Sequence, residues 1–258
     1  MTAGLTRYFD LTGKTALITG ATRGIGFGLA AGLAEAGAHV ILNGRDSTKL
    51  ATAQDRLQQA GITADVLCFD VRDQAAVAQA IDGFEADKGP IDILINNAGI
   101  QHRQALEDFA PEAFQNVMET NATALFYLGQ AVARHMKQRG QGKIINIASI
   151  MTKMARHHVG AYVTAKAAVG GLTRAMTSEW AGYGINCNAI GPGYISTELT
   201  QALFEDKAFS DWLLGSTPAG RWGQVDDLVG AAIYLAAPAS GFMHGQILYI
   251  DGGMTTTV

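Results

Sequence analysis

The chain has 258 residues, 48% of them hydrophobic and 16% charged, with 31 glycines and a net charge of −4. That size and apolar content suit one α/β domain of buried parallel strands and tight turns, and no Pro/Gly/Ser-rich linker divides it. The acidic balance and scattered basic residues exclude a general nucleic-acid footprint, and no segment has the uninterrupted apolar length of a membrane span.

The first thirteen residues hold Arg7 and Asp10 and no apolar leader-like stretch, so a cytoplasmic location is expected. Residues 14–19 read as a buried strand, followed directly by Gly20-Ala21-Thr22-Arg23-Gly24-Ile25-Gly26. The stripe Ile25, Leu29, Leu33 and Ala36 then has helical spacing, and Gly37 suits a C-terminal cap. Strand, glycine turn and helix together form a phosphate cradle. The glycines let backbone amides approach a pyrophosphate, which the helix N-terminus attracts. Gly20, Thr22, Arg23, Gly24, Ile25 and Gly26 are the expected contacts.

A second strand, residues 38–43, runs into Gly44-Arg45-Asp46, where a dinucleotide fold grips the adenosine ribose. An acid there selects NAD. Gly44 instead leaves room for a 2′-phosphate that Arg45 and Arg23 can pair with, so NADP is expected. The alternative places the ribose of NAD on Asp46 or Asn43. Residues 46–60 have helical periodicity, and residues 64–69 form a third strand closed by Asp70-Val71. Asp70 either accepts from the adenine amino group or caps the helix starting near Asp73. Cys68, in this strand, and Cys187, in a later one, read as reduced core residues rather than a disulfide or metal site.

The fourth strand, residues 91–95, leads into Asn96-Asn97-Ala98-Gly99, which can stabilise a turn and floor the cofactor ribose. A long helix from Pro111 carries the stripe Phe114, Met118, Leu125, Leu128, Val132 and Met136, with Asn121 in a stripe position. A buried amide is costly unless satisfied, so Asn121 is either functional or a locally capped structural group.

Residues 143–148 form a fifth strand, with Ser149 at the C-terminal end where open α/β sheets bind ligands. Tyr162 and Lys166 then place a phenol and an ammonium on one helix face. A phenol with a pKa near ~10 works poorly at neutral pH, and a close cation moves it towards the useful range. Ser149, Tyr162 and Lys166 therefore read as a proton-transfer set; the plainer alternative is an interfacial tyrosine with a solvated lysine. After a sixth strand, residues 185–190, the turn through Pro192, Gly193, Ile195 and Thr197 can hold the nicotinamide end. Residues 197–218 mix Phe204, Phe209, Trp212 and Leu213 with charges, as in an amphipathic lid. A helix over 224–236 and a strand over 246–250 complete the chain.

Over residues 13–253 these motifs resemble the short-chain dehydrogenase/reductase family. They comprise the glycine turn, Asn96-Asn97-Ala98-Gly99, Asn121, Ser149, Tyr162-Val163-Thr164-Ala165-Lys166 and Pro192-Gly193. The resemblance implies a Rossmann-type doubly wound seven-stranded parallel β-sheet with helices on both faces, in a single domain over residues 1–258. It also implies NADP(H)-dependent hydride transfer between nicotinamide and a secondary alcohol or ketone. A homotetramer built partly through the helices holding Asn121 and Tyr162 is implied as well. In the implied roles Tyr162 is the proton donor and Ser149 binds the reacting oxygen. Lys166 lowers the Tyr162 pKa and binds the nicotinamide ribose, and Asn121 holds a water that links Lys166 to solvent.

Gly99-Ile100-Gln101-His102-Arg103 and Thr217-Pro218-Ala219-Gly220-Arg221-Trp222-Gly223-Gln224 resemble members acting on sugar acids. The loop Met151-Thr152-Lys153-Met154-Ala155-Arg156-His157-His158 is more basic than expected for them and favours an anionic substrate. Arg103 is the first choice to hold its carboxylate, followed by His102, Arg156 and His158. No metal motif is evident. Competing readings are reduction of a 3-oxoacyl thioester, a deoxy-ketouronate or a bulky ketone, and a non-catalytic NADP-binding regulator.

Overall fold

Apolar runs without polar alternation demand strands covered on both faces, and the computed structural model, which describes residues 3–257, arranges them so. β1 (Thr15–Ile18), β2 (His39–Gly44), β3 (Ala64–Cys68), β4 (Ile93–Asn96), β5 (Gly142–Ile147), β6 (Ile185–Pro192) and β7 (Ile247–Ile250) form one sheet. Every neighbouring pair is parallel, in the order β3-β2-β1-β4-β5-β6-β7. The helices are α1 (Ala3–Phe9), α2 (Gly24–Glu35), α3 (Ser47–Gln59), α4 (Gln74–Asp87), α5 (Pro111–Met118) and α6 (Ala124–Arg139). They continue with α7 (Gly160–Trp180), α8 (Gln201–Glu205), α9 (Lys207–Ser216) and α10 (Asp226–Ala236).

Successive strand residues point to opposite faces, which splits the core in two. Ile18, Leu42, Ile95 and Ile145 pack against Leu29 and Leu33 of α2, Leu50 and Leu57 of α3, and Leu228 and Leu235 of α10. Leu17, Ile41, Leu94 and Ile144 pack against Val77 and Ile81 of α4, Leu128 and Val132 of α6, and Met176 of α7. Each fully buried Leu or Ile stabilises the fold by roughly 1.5–3 kcal/mol. The doubly wound sheet thus matches the implied fold.

Strand order reverses between β1 and β4, which opens a crevice at their C-terminal ends. Edge position also corrects one expectation. Cys187 is buried in interior β6, where burial pushes its thiol up to about 12, but Cys68 is exposed beside exposed Val66 on edge strand β3. An edge strand has helix cover over only part of its length. The lid-like stretch folds as α8 and α9, with Leu203 and Leu213 buried against Ile150, Met151, Trp222 and Met254.

Candidate active site

The glycine turn is laced to the exit of β4. Asn97 Nδ2 donates to the carbonyls of Thr19 (2.9 Å) and Gly20 (3.1 Å), and Thr19 Oγ1 accepts from the amides of Asn97 and Ala98. Gly20 and Gly24 adopt φ of +62° and +54°, and a Cβ on Gly20 would sit 2.9 Å from Ala98 Cα. Arg23 precedes α2 without capping it, which leaves the helix N-terminus open to an anion. Gly26 lies behind the turn. A Cβ there would overlap Asn97 Nδ2 and the Gly20 carbonyl, so Gly26 sets close packing rather than lining the cleft.

A cleft of about 400 Å³ runs from this turn along the strand ends. Gly20, Thr22, Arg23, Gly24, Ile25, Arg45, Asp70, Val71, Asn97, Ala98 and Gly99 line it. So do Ser149, Tyr162, Lys166, Pro192, Gly193, Ile195 and Thr197. At its adenosine end a Cβ on Gly44 would meet Thr22 Cγ2 at 2.9 Å. Both alternative ribose ligands are engaged elsewhere. Asn43 Nδ2 donates to the carbonyls of Leu67 and Phe69, and Asp46 caps α3 by accepting from the Lys49 amide at 3.1 Å. Lys49, not foreseen in the sequence, adds a cation beside Arg45 and Arg23, and its place four residues after Arg45 was the available signal. The glycine cradle and these cations fit an NADP.

Asp70 does not cap α4, because Asp73 does so with its own carboxylate. Asp70 instead pairs with Arg72 at 2.7 Å, whose hydrogen bonds hold its pKa below the usual carboxylate range.

Ser149 ends β5 and accepts from the Met151 amide at 3.1 Å. Tyr162 lies in the first turn of α7 and Lys166 one turn later, only 5% exposed. Burial pushes the Tyr162 phenol above its ordinary value, and the nearby Ser149 hydroxyl pulls partly back. Lys166 falls to about 8 through burial, and its Nζ donates to the Ile147 carbonyl at 2.6 Å. The expected lowering of Tyr162 by Lys166 is therefore not what this arrangement produces. The ammonium is 5.6 Å from the phenol ring centroid and committed to the backbone, so desolvation dominates.

Asn121 lies in a π-helical turn, Glu119–Thr123, that interrupts the predicted long helix between α5 and α6. Its fully buried amide accepts from Ile100 N and donates to Ile100 O, both at 2.8 Å. The side chain is thereby satisfied, clamping a residue that lines the cleft.

Beyond Ser149, Arg156 places its guanidinium 4.2 Å from the Phe209 ring centroid. Arg103 lies within its electrostatic reach: burial and then Arg156 lower the Arg103 pKa. Among the described residues neither arginine forms an ion pair. His102 and His158 make local contacts. His102 bonds Gln104 at 3.2 Å and packs edge-on against Phe109. His158, exposed at φ +64°, gives its carbonyl to the Gln104 amide. Tyr194, which the sequence places in the Pro192–Thr197 turn read only for cofactor binding, packs against the same apolar cluster as Tyr162.

Residues 20–255 match the family model described as enoyl-(acyl carrier protein) reductase. The chain is 50% identical over 250 residues to gluconate 5-dehydrogenase of Gluconobacter oxydans, covering 97% of this chain and 98% of that one. It is 44% identical, with the same coverage, to 5-keto-D-gluconate 5-reductase of Escherichia coli. A solved gluconate 5-dehydrogenase from Burkholderia cenocepacia, in complex with NADP and tartrate, superposes with a TM-score of 0.96 at 52% identity, covering 98% of this chain and 100% of that one.

Proposed function

We propose, since the chain belongs to the short-chain dehydrogenase/reductase family, that it reduces 5-keto-D-gluconate to D-gluconate with NADPH and catalyses the reverse oxidation with NADP. The observation that carries the substrate reading is Arg156, whose guanidinium covers Phe209 in the apolar cluster that also packs Tyr162, with Arg103 within its electrostatic reach and neither ion-paired among the described residues. Two adjacent guanidinium groups suit a carboxylate.

NADPH, when bound, supplies the hydride. Gly20, Thr22 and the α2 N-terminus would hold its pyrophosphate, and Arg45, Lys49 and Arg23 its 2′-phosphate. Tyr162, protonated through neutral pH, gives its phenolic proton to the carbonyl oxygen as the alcohol forms, while Ser149 donates a hydrogen bond to that oxygen. Lys166 remains mostly charged at neutral pH and would bind the nicotinamide ribose. Asn121 positions the cofactor floor through Ile100, and the resemblance implies a water in its turn that would link Lys166 to solvent. Oxidation reverses these roles.

The reading includes a cytoplasmic homotetramer assembled through α6 and α7, supported by exposed Phe126 on α6 and Tyr183 just past α7. Among the described residues no helix is long and apolar enough to cross a membrane. Sedimentation velocity would measure the assembly.

The deciding experiment follows nicotinamide absorbance with 5-keto-D-gluconate, a 3-oxoacyl thioester and a neutral ketone, each with NADPH and NADH. Selective NADPH oxidation with the keto acid is expected. Turnover of the thioester alone would discard the sugar-acid reading and keep the hydride chemistry.

A further inference from the structure

We infer that Tyr194 is a specificity-determining residue: its phenolic oxygen binds a hydroxyl of the substrate chain between the carbon reacting at Tyr162 and the carboxylate held by Arg103. The inference rests on the sugar-acid reading. Tyr194 leaves β6 just after Gly193, and its ring is fixed from three directions. Phe209, Trp212 and Trp222 meet it edge-on, with centroids 5.5, 6.4 and 6.0 Å away and interplanar angles of 64°, 90° and 81°.

The Tyr194 hydroxyl is not buried, so a substrate hydroxyl can take the place of water on it. It has no hydrogen-bond partner among the described residues, although the ring cannot turn freely. Tyr194 packs against the same apolar cluster as Tyr162, and Arg156 covers its neighbour Phe209. Tyr194 lies within electrostatic reach of both Tyr162 and Arg103. A phenol so placed, with few rotamers left to lose, can reward a polyol and offers nothing to an unsubstituted chain.

The test compares 5-keto-D-gluconate with 5-oxohexanoate, which keeps the C1 carboxylate and C5 ketone and lacks the hydroxyls. Tyr194→Phe preserves the aromatic packing. It should raise KM for 5-keto-D-gluconate about tenfold while changing kcat less, the size expected for one lost hydrogen bond. KM, or the competitive inhibition constant, for 5-oxohexanoate and Kd for NADPH should stay unchanged. Equal weakening of both keto acids would make Tyr194 merely structural, and no change in either would remove it from the substrate site. If the unaltered enzyme fails to turn over 5-keto-D-gluconate, the sugar-acid reading falls first and this inference with it.

Discussion

The two ends of the cleft are built from different material. The nucleotide end is mostly main chain: glycines at positive φ, an uncapped helix N-terminus, and Asn97 fastening the turn to β4. Side chains that could compete there, Asn43 and Asp46, already have partners. The substrate end is made of side-chain tips on connecting segments, with Arg103 and Arg156 without ion pairs and the Tyr194 hydroxyl without a hydrogen-bond partner among the described residues. A seat made of backbone depends on space, so almost any added atom harms it. A seat made of tips can be reset by one substitution without disturbing the fold. Cofactor class is therefore tied to the architecture, and substrate identity to a few residues.

Tyr162→Phe, at the junction of the two ends, gives the largest expected effect. It should lower kcat by about 10³-fold while fluorescence titration finds NADPH Kd within about twofold. Lost binding would assign Tyr162 to the nucleotide end instead. Next, Gly26→Ala forces a methyl into Asn97 and the Gly20 carbonyl, and should cost about 1–3 kcal/mol in chemical denaturation together with NADPH affinity. An unperturbed variant would contradict a seat governed by space.

Arg103→Ala should raise KM for a keto acid about tenfold or more and spare a neutral ketone, whereas Arg45→Ala should weaken NADPH about tenfold and spare NADH. Crossed effects would erase the division between the ends. The mildest expectation concerns pH. Lys166 is charged below its value of about 8 and neutral above it, while Tyr162 keeps its proton well beyond that. Reduction should be level up to about pH 7, be halved near pH 8 and fall about tenfold by pH 9. A kcat/KM profile with no break near 8 would remove Lys166 from the proton path.

Most strands and the Ser149, Tyr162 and Lys166 set were legible because buried parallel strands read as plain apolar runs and a helix fixes which residues share a face. What escaped depends on partners distant in sequence. The setting of Tyr194 exists only once Phe209, Trp212 and Trp222 fold around it. Lys166 was expected to act on a phenol one turn away, yet it reaches back to the Ile147 carbonyl. Asn121 looked like a position in a regular helix because a π turn leaves no mark in apolar spacing. Cys68 belongs to a strand whose place at the sheet edge follows from topology, not from its own residues.

Strand order also sets a timetable for the growing polypeptide. β1, β2 and β3 are made first and pair with one another, and β4 joins β1 through the Ala16 and Ile93 register. A nascent chain that has reached Gly99 therefore holds the glycine turn and the Asn97 clasp of its nucleotide seat, while α7 with its tyrosine is still unmade. Until β5 arrives at Gly142, however, the apolar Ile93–Asn96 strand is an unpaired edge, the kind of surface that recruits other chains. Synthesis thus passes through an interval in which the molecule can form the seat for its nucleotide, cannot react, and is most exposed to aggregation.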